Sequence, residues 1–221
     1  MEIETIIFDL DDTLYPSSSG VWELIRARID QFMIEKLDYT VENVPKAREK
    51  FFLEYGTTLR GLESVHNINT IEYLKFVHEI PLNQFLFPNE QLQRILNNLS
   101  QRKVIFTNGD RWHSKRVTDA LRISHYFDVV IDILDVSPYC KPMKQAFDIA
   151  LKKLEITEAK SALLIDDNIK NIQAAKKLGM KAIFVAENGH NVEADIIKIK
   201  KIEELDQVFP IFEKASTNGF S

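Results

Sequence analysis

Glycine is scarce in this 221-residue chain: there are seven, at Gly20, Gly56, Gly61, Gly109, Gly179, Gly189 and Gly219. No two are neighbours or one residue apart, so a Gly-x-Gly-x-x-Gly dinucleotide fingerprint is absent, as is Gly-x-x-x-x-Gly-Lys-Ser/Thr. Both loops work by bringing bare backbone close to phosphate. A phosphate handled by this chain must instead be met by charge and metal. Cysteine is scarcer still. The single Cys140 excludes an intramolecular disulfide and suits a reducing compartment. Long apolar runs are missing, and stretches such as Ala162-Leu163-Leu164-Ile165 fall far short of the roughly 20 residues a membrane span requires. Met1-Glu2-Ile3-Glu4 is acidic and leads straight into a strand pattern, unlike a secretory signal, so the expected location is cytoplasmic. A basic excess is also lacking: 28 Lys and Arg against 33 Asp and Glu give a net charge of −5, which argues against a nucleic-acid polymer as partner.

What is present is an ordinary globular composition, 45% hydrophobic and 28% charged, with length for one domain plus a smaller inserted one. Five apolar runs read as strands: Thr5–Phe8, Val104–Thr107, Val129–Ile131, Ala162–Ile165 and Ala182–Val185. They are nearly continuous rather than alternating, as strands covered on both faces are. Helical stripes separate the later ones: Leu92, Ile95, Leu96 and Leu99; then Met143, Ala146, Phe147, Ala150, Leu151 and Leu154; then Ile169, Ile172, Ala175 and Leu178, closed by Gly179. The alternation predicts a Rossmann-like α/β fold, a doubly wound parallel sheet with helices on both faces.

Residues 15–85 break this rhythm. Three helical patterns lie there, one from Val21 to Met33, one from Pro45 to Tyr55 and one from Ile71 to Val77, and no convincing strand. The interval is too long for a loop and predicts a separate helical domain, with residues 1–14 and 86–221 forming the α/β core. Ile202 to Phe212 reads as a final helix and Ala215 to Ser221 as a frayed tail.

Ligands of open parallel sheets bind beyond the carboxyl ends of the strands. There this sequence places Asp9-Leu10-Asp11-Asp12-Thr13, Thr107-Asn108-Gly109-Asp110 and Asp166-Asp167-Asn168, with Lys141 in the long loop after the third strand. Packed carboxylates repel one another and are costly to bury unpaired, so the rim calls for a cation; oxygen-only donors favour Mg²⁺. Asp9 and Asp11, two apart, point the same way in extended backbone, so one can attack while the other exchanges protons. Thr107 and Lys141 suit a phosphoryl oxygen or a nucleophile that needs positioning and neutralisation. Separately these strings are turns and helix caps; together, in order and at strand ends, they describe a catalytic rim.

Phe8-Asp9-Leu10-Asp11-Asp12-Thr13-Leu14, Phe106-Thr107-Asn108-Gly109, Lys141-Pro142 and Ile165-Asp166-Asp167-Asn168 with Asn171 resemble the four motifs of the haloacid dehalogenase superfamily. The helical insertion is similar to that superfamily's C1-type cap. Leu14-Tyr15-Pro16, the segment Tyr55 to Leu62 and Pro138-Tyr139-Cys140-Lys141-Pro142 resemble the pyrimidine 5′-nucleotidase-like branch. The resemblance implies a Mg²⁺-dependent phosphomonoester hydrolase acting on a small phosphorylated metabolite, such as a nucleoside 5′-monophosphate. Asp9 would be the nucleophile and Asp11 the acid and base. Thr107 and neighbouring backbone N–H groups at Asn108 and Gly109 would hold phosphoryl oxygens, and Lys141 would screen charge. Mg²⁺ would sit on Asp9, the Asp11 carbonyl and Asp167, with Asp166 ligating or supporting. Asn171 stands where the fourth motif often has an acid and is expected to support. Asp11 favours phosphoryl transfer over dehalogenation, which lacks an acid at that place. The alternatives are a sugar-phosphate mutase on the same scaffold and a non-catalytic binding protein.

Substrate choice is expected from the insertion. Tyr15 and Ser17 to Ser19 fall at its hinge, and Tyr55 to Arg60 read as a loop over the mouth. Tyr55 is a candidate to stack on a base and Arg60 to pair a substrate anion; the competing reading packs Tyr55 inside and makes Arg60 a structural ion-pair partner. Trp22 and Phe32 read as core of the insertion, Trp112 and His113 as helix-start surface, and Cys140 as without chemistry.

Overall fold

A computed structural model of the chain describes residues 2–187 and 196–210. Six strands, β1 (Thr5–Phe8), β2 (Arg102–Phe106), β3 (Val129–Ile131), β4 (Ala162–Asp166), β5 (Lys181–Val185) and β6 (Ile197–Ile199), form one sheet in the order β3-β2-β1-β4-β5-β6. Every neighbouring pair is parallel. The nine α-helices among the described residues are α1 (Val21–Leu37), α2 (Val44–Tyr55), α3 (Thr58–His66), α4 (Thr70–His78), α5 (Glu90–Asn98), α6 (Arg111–Ala120), α7 (Lys144–Lys153), α8 (Ile169–Lys177) and α9 (Leu205–Val208).

The strand runs are apolar at every position because the sheet is covered twice. One face places Ile6, Phe8, Ile105 and Ile165 with Leu92 and Leu96 of α5 and Val117 of α6. The other places Ile7, Phe106 and Leu164 with Phe147 of α7 and Ile172 and Ala175 of α8. Phe106 and Phe147 meet edge to face at 5.4 Å. Truncating one such side chain to Ala costs about 2–5 kcal/mol, so the two layers fix β1 rigidly at the centre. The chain turns left of β1 for β2 and β3 and right of it for β4 and β5, so the sheet's switch point lies beside β1.

Helices α1 to α4 occupy the interval after β1. Phe32 lies edge-on to Tyr73 and Phe76 at 5.0 and 5.4 Å, joining α1 to α4. The first turn of α3 falls in the Tyr55 to Arg60 segment expected to be a loop. Thr57 caps it by accepting the Arg60 N–H at 3.1 Å, and Leu59 and Leu62 are buried at helical spacing. Gly56 makes the α2–α3 corner with φ of 85°, and a Cβ there would stand 2.7 Å from Cys140 Sγ. The corner therefore needs glycine twice over, for its turn and for its close approach to the core loop.

Strand β6 is also additional to the sequence reading, since three residues around Lys198 at a sheet edge make a weak signal. β2 starts two residues before Val104 and stops before Thr107. The expected terminal helix is a 3-10 turn, Ile202–Glu204, followed by the short α9. Gly189, Phe212, the Ala215 to Ser221 tail and Gly219 lie outside the described residues. Among the described residues no helix is long and apolar enough to cross a membrane.

Candidate active site

β1 delivers the first acid. Asp9 N–H still bonds to Ile165 O at 2.8 Å, so Asp9 continues the ladder with β4 before the chain departs. A turn follows, closed by Leu14 N–H on Leu10 O at 3.0 Å, with Asp12 at φ 58°. Asp9, Asp11 and Asp12 thereby line one cleft of about 520 Å³ with Thr107, Asn108, Gly109, Lys141 and Asp167. The strand-end residues expected to meet do meet.

Lys141 is the hub. Its Nζ donates to Asp9 Oδ1 and to Asp166 Oδ2, both at 2.7 Å, and its side chain is almost wholly buried. Two features aim it. Asn108 clamps its backbone, accepting the Lys141 N–H at 2.9 Å and donating to its carbonyl at 3.0 Å. Asp166 is itself fully enclosed: Asn171 Nδ2 donates to both its oxygens at 2.9 and 3.0 Å, and Asn168 N–H to Oδ1 at 2.8 Å. Asp166 thus holds Lys141 in place, and Asn171 supports Asp166 as expected. Thr107 Oγ1 accepts the Gly109 N–H at 2.9 Å, which tightens the turn after β2.

The Asp9 side carries more acid than base. Burial, then the neighbouring carboxylates, push Asp9 up to about 7 and Asp167 to about 9, and Lys141 only partly offsets this. Burial and then Asp11 push Asp12 up to about 7. Lys141 is raised against its own burial by Asp166 and Asp9, so it stays charged. Asp9, Asp166 and Asp167 each bring an oxygen within 4.8 Å of the others, and Asp12 Oδ1 is buried without a partner. This is an all-oxygen donor set short of positive charge, which fits a hard divalent cation.

Asp11 differs. Burial raises it, but His113, then Tyr15, outweigh burial and hold it down at about 2. His113 Nε2 lies 2.7 Å from Asp11 Oδ1, and Tyr15 OH donates to the same oxygen at 2.6 Å.

Several expected roles are redrawn. Tyr15 is buried with its hydroxyl on Asp11, outside the lining of this cleft. Tyr55 packs edge-on to Phe51 at 6.3 Å, away from the cleft. Arg60 is 5% exposed, and its guanidinium is spent on Ile133 O, Tyr139 O, Ser137 Oγ and Glu63. It is the structural partner of the competing reading, tying α3 to the loop that carries Lys141. Asn108's side-chain amide is engaged with the Lys141 backbone, while the residue itself lines the cleft, where its backbone N–H is the group expected to meet a phosphoryl oxygen. Trp22, expected in the core, is 37% exposed and lines the cleft with Phe52, Ile29, Arg26 and Arg48. Phe32 is core as expected, and Trp112 is surface. His113, expected at the surface, is buried on Asp11. His78 was missed altogether; it ends α4, lines the cleft, and its Nδ1 lies 2.6 Å from Asp110 Oδ2. A lone His at a helix end gives no sequence signal for such a place.

Residues 3–179 match the family model described as haloacid dehalogenase-like hydrolase. The chain is 26% identical over 211 residues to phosphate metabolism protein 8 of Saccharomyces cerevisiae, covering 89% of this chain and 66% of that protein. It therefore spans just under two thirds of that relative's length. It is also 26% identical over 229 residues to glyceraldehyde 3-phosphate phosphatase of Methanothermobacter thermautotrophicus, covering 93% and 98% of the two chains. Among solved structures, the HAD-hydrolase YfnB from Bacillus subtilis, bound to magnesium, shares the fold with a TM-score of 0.62 at 18% identity, over 94% of this chain and 99% of that one.

Proposed function

The chain belongs to the haloacid dehalogenase-like hydrolases, and on that premise we propose that it is a phosphomonoester hydrolase forming an aspartyl-phosphate on Asp9. The observation that carries this is the pairing of Asp9, gripped by Lys141, with a second acid, Asp11, in the same cleft. A dehalogenase has no use for that second acid.

In this reading an Asp9 oxygen attacks phosphorus as the bond to the leaving oxygen breaks. Asp11 gives that oxygen its proton, then takes one from the water that attacks the phosphoryl group and frees Asp9. Asp11 is ionised in the free chain, so the proton it passes on is first taken from the substrate's phosphate monoanion or from solvent, and the arriving negative charge raises its affinity for that proton. Lys141 neutralises charge beside Asp9, and the turn at Thr107 to Gly109 receives phosphoryl oxygens. Asp9, Asp167 and the Asp11 carbonyl would hold Mg²⁺, with Asp166 acting through Lys141. When bound, the ion supplies Lewis-acid charge stabilisation to the phosphoryl group.

Helices α1 to α4, within residues 15–85, act as a C1-type cap over this core. Its wall pairs apolar Trp22, Ile29 and Phe52 with the cations Arg26 and Arg48. That surface suits a leaving group with a flat apolar body and polar edges better than a three-carbon polyol. A pyrimidine nucleoside 5′-monophosphate fits it, and a cytoplasmic enzyme of small phosphorylated metabolites is the setting. The test is phosphate release from a panel of monophosphates, with and without Mg²⁺, beside Asp9→Asn. We expect Mg²⁺-dependent release, at least about 10³-fold lower in Asp9→Asn. Release from no compound, or equal activity in the variant, would falsify the reading.

A further inference from the structure

We propose that His113 is a positioning residue for the Asp11 carboxyl, and that His78 couples this positioning to the helical insertion; the proposal rests on the phosphatase reading, in which Asp11 moves the protons. Two donors meet one oxygen. Tyr15 OH and His113 Nε2 lie 2.6 and 2.7 Å from Asp11 Oδ1. Oδ2 is left toward the Gly109 turn, where a Cβ on Gly109 would stand 3.6 Å from it. A carboxyl pinned at Oδ1 cannot rotate, so proton exchange is confined to Oδ2 on the phosphate side. His113 Nδ1 is buried without a partner, and Nε2 is the ring nitrogen that reaches Asp11. An ionised carboxylate only accepts, so Nε2–H donates to Asp11 Oδ1.

The imidazole is itself held from two sides. Asp110 caps α6 through Oδ1, accepting the Trp112 and His113 N–H groups at 2.8 and 2.9 Å. Its Oδ2 grips His78 Nδ1 at 2.6 Å, and the His78 ring stacks on His113 with centroids 4.2 Å apart and planes 14° from parallel. One turn along α6, Arg116 donates to the carbonyls of His78 and Ile80. The last residue of α4 is thus fastened to the helix that bears His113. Its ring closes the space into which the His113 ring would swing to release Asp11.

Misaiming the acid has a signature that general damage lacks. A p-nitrophenolate departs without a proton, whereas an alkoxide needs one. The experiment compares kcat/KM for a nucleoside 5′-monophosphate and for p-nitrophenyl phosphate in wild type, His113→Leu, His113→Gln and His78→Ala, with melting temperatures alongside. His113→Leu is expected to lose at least about 30-fold on the nucleotide and about threefold or less on p-nitrophenyl phosphate. His113→Gln keeps a donor in reach of Oδ1 and is expected to recover most of the loss. His78→Ala is expected to shift the substrate ratio the same way by about fivefold. Equal losses on both substrates, or a Gln variant no better than Leu, overturn the proposal while leaving the phosphatase reading intact. A wild type that cleaves neither compound overturns both.

Discussion

Asp9 and Asp11 lie two residues apart and line the same cleft, yet their surroundings push them in opposite directions, to about 7 and about 2. Around Asp11 the protein supplies its own donors, His113 and Tyr15. Around Asp9 it supplies one lysine against Asp9, Asp166 and Asp167. On the proposed reading, one half of the site is complete in the folded chain and the other awaits a cation. The difference matches the two tasks proposed for them: an acid that must be aimed needs fixed hydrogen bonds, and a nucleophile beside a cation needs open oxygens.

Removing Lys141 should exaggerate the contrast most. Lys141→Met leaves Asp9 and Asp166 buried without their cation, and we expect a loss of about 3–5 kcal/mol in denaturant unfolding at pH 8. The loss should shrink at pH 5, where Asp9, raised to about 7, takes up a proton. Activity should fall by at least about 10²-fold. A variant as stable as wild type at pH 8 would mean that the ion pairs contribute nothing on the crowded side.

Arg60 tests a different contrast, between the wall of the helical insertion and its seam. It is one of the few charged groups buried outside the rim, and it binds main-chain carbonyls rather than acids alone. Arg60→Ala strands the Ile133 and Tyr139 carbonyls and should cost about 2–4 kcal/mol. KM for nucleotides and for p-nitrophenyl phosphate should change alike. A selective rise for nucleotides would return Arg60 to substrate recognition.

The rim was legible in the sequence because strand ends leave a linear trace. An apolar run followed by Asp-Leu-Asp-Asp, or by Thr-Asn-Gly, marks both the strand and the residues beyond it. The buried state of β1 was legible for the same reason, as continuous apolar residues need two covering layers. The His113–Asp11 contact joins residues 102 apart in the chain, and the stack with His78 depends on how α4 meets α6. No periodicity encodes such a meeting. Both roles stood open for Arg60 because Tyr55 to Arg60 reads as a loop, whereas Thr57 is a helix cap and the Arg60 side chain is buried on main-chain carbonyls. Trp22 was misread because an aromatic at helical spacing looks the same whether it faces a core or a cleft.

The unfinished state of the Asp9 side is tested most directly by melting the protein across pH with and without Mg²⁺. Asp9 and Asp167 are raised from 3.8 to about 7 and about 9 in the folded chain, so it binds their protons more tightly than the unfolded chain does. Their contribution to stability is fully present below pH 3.8 and is lost as pH rises through 7 and 9. Asp11 runs the other way: lowered from 3.8, it contributes above that pH and loses its effect only as pH falls toward 2. Without divalent cation the melting temperature should therefore fall from about pH 5 to about pH 9. Mg²⁺ should restore it, more at pH 8 than at pH 5, because bound cation displaces protons. Asp167→Asn should remove most of that gain. A Mg²⁺ effect that is absent, or equal at both pH values and unchanged in Asp167→Asn, would contradict the account.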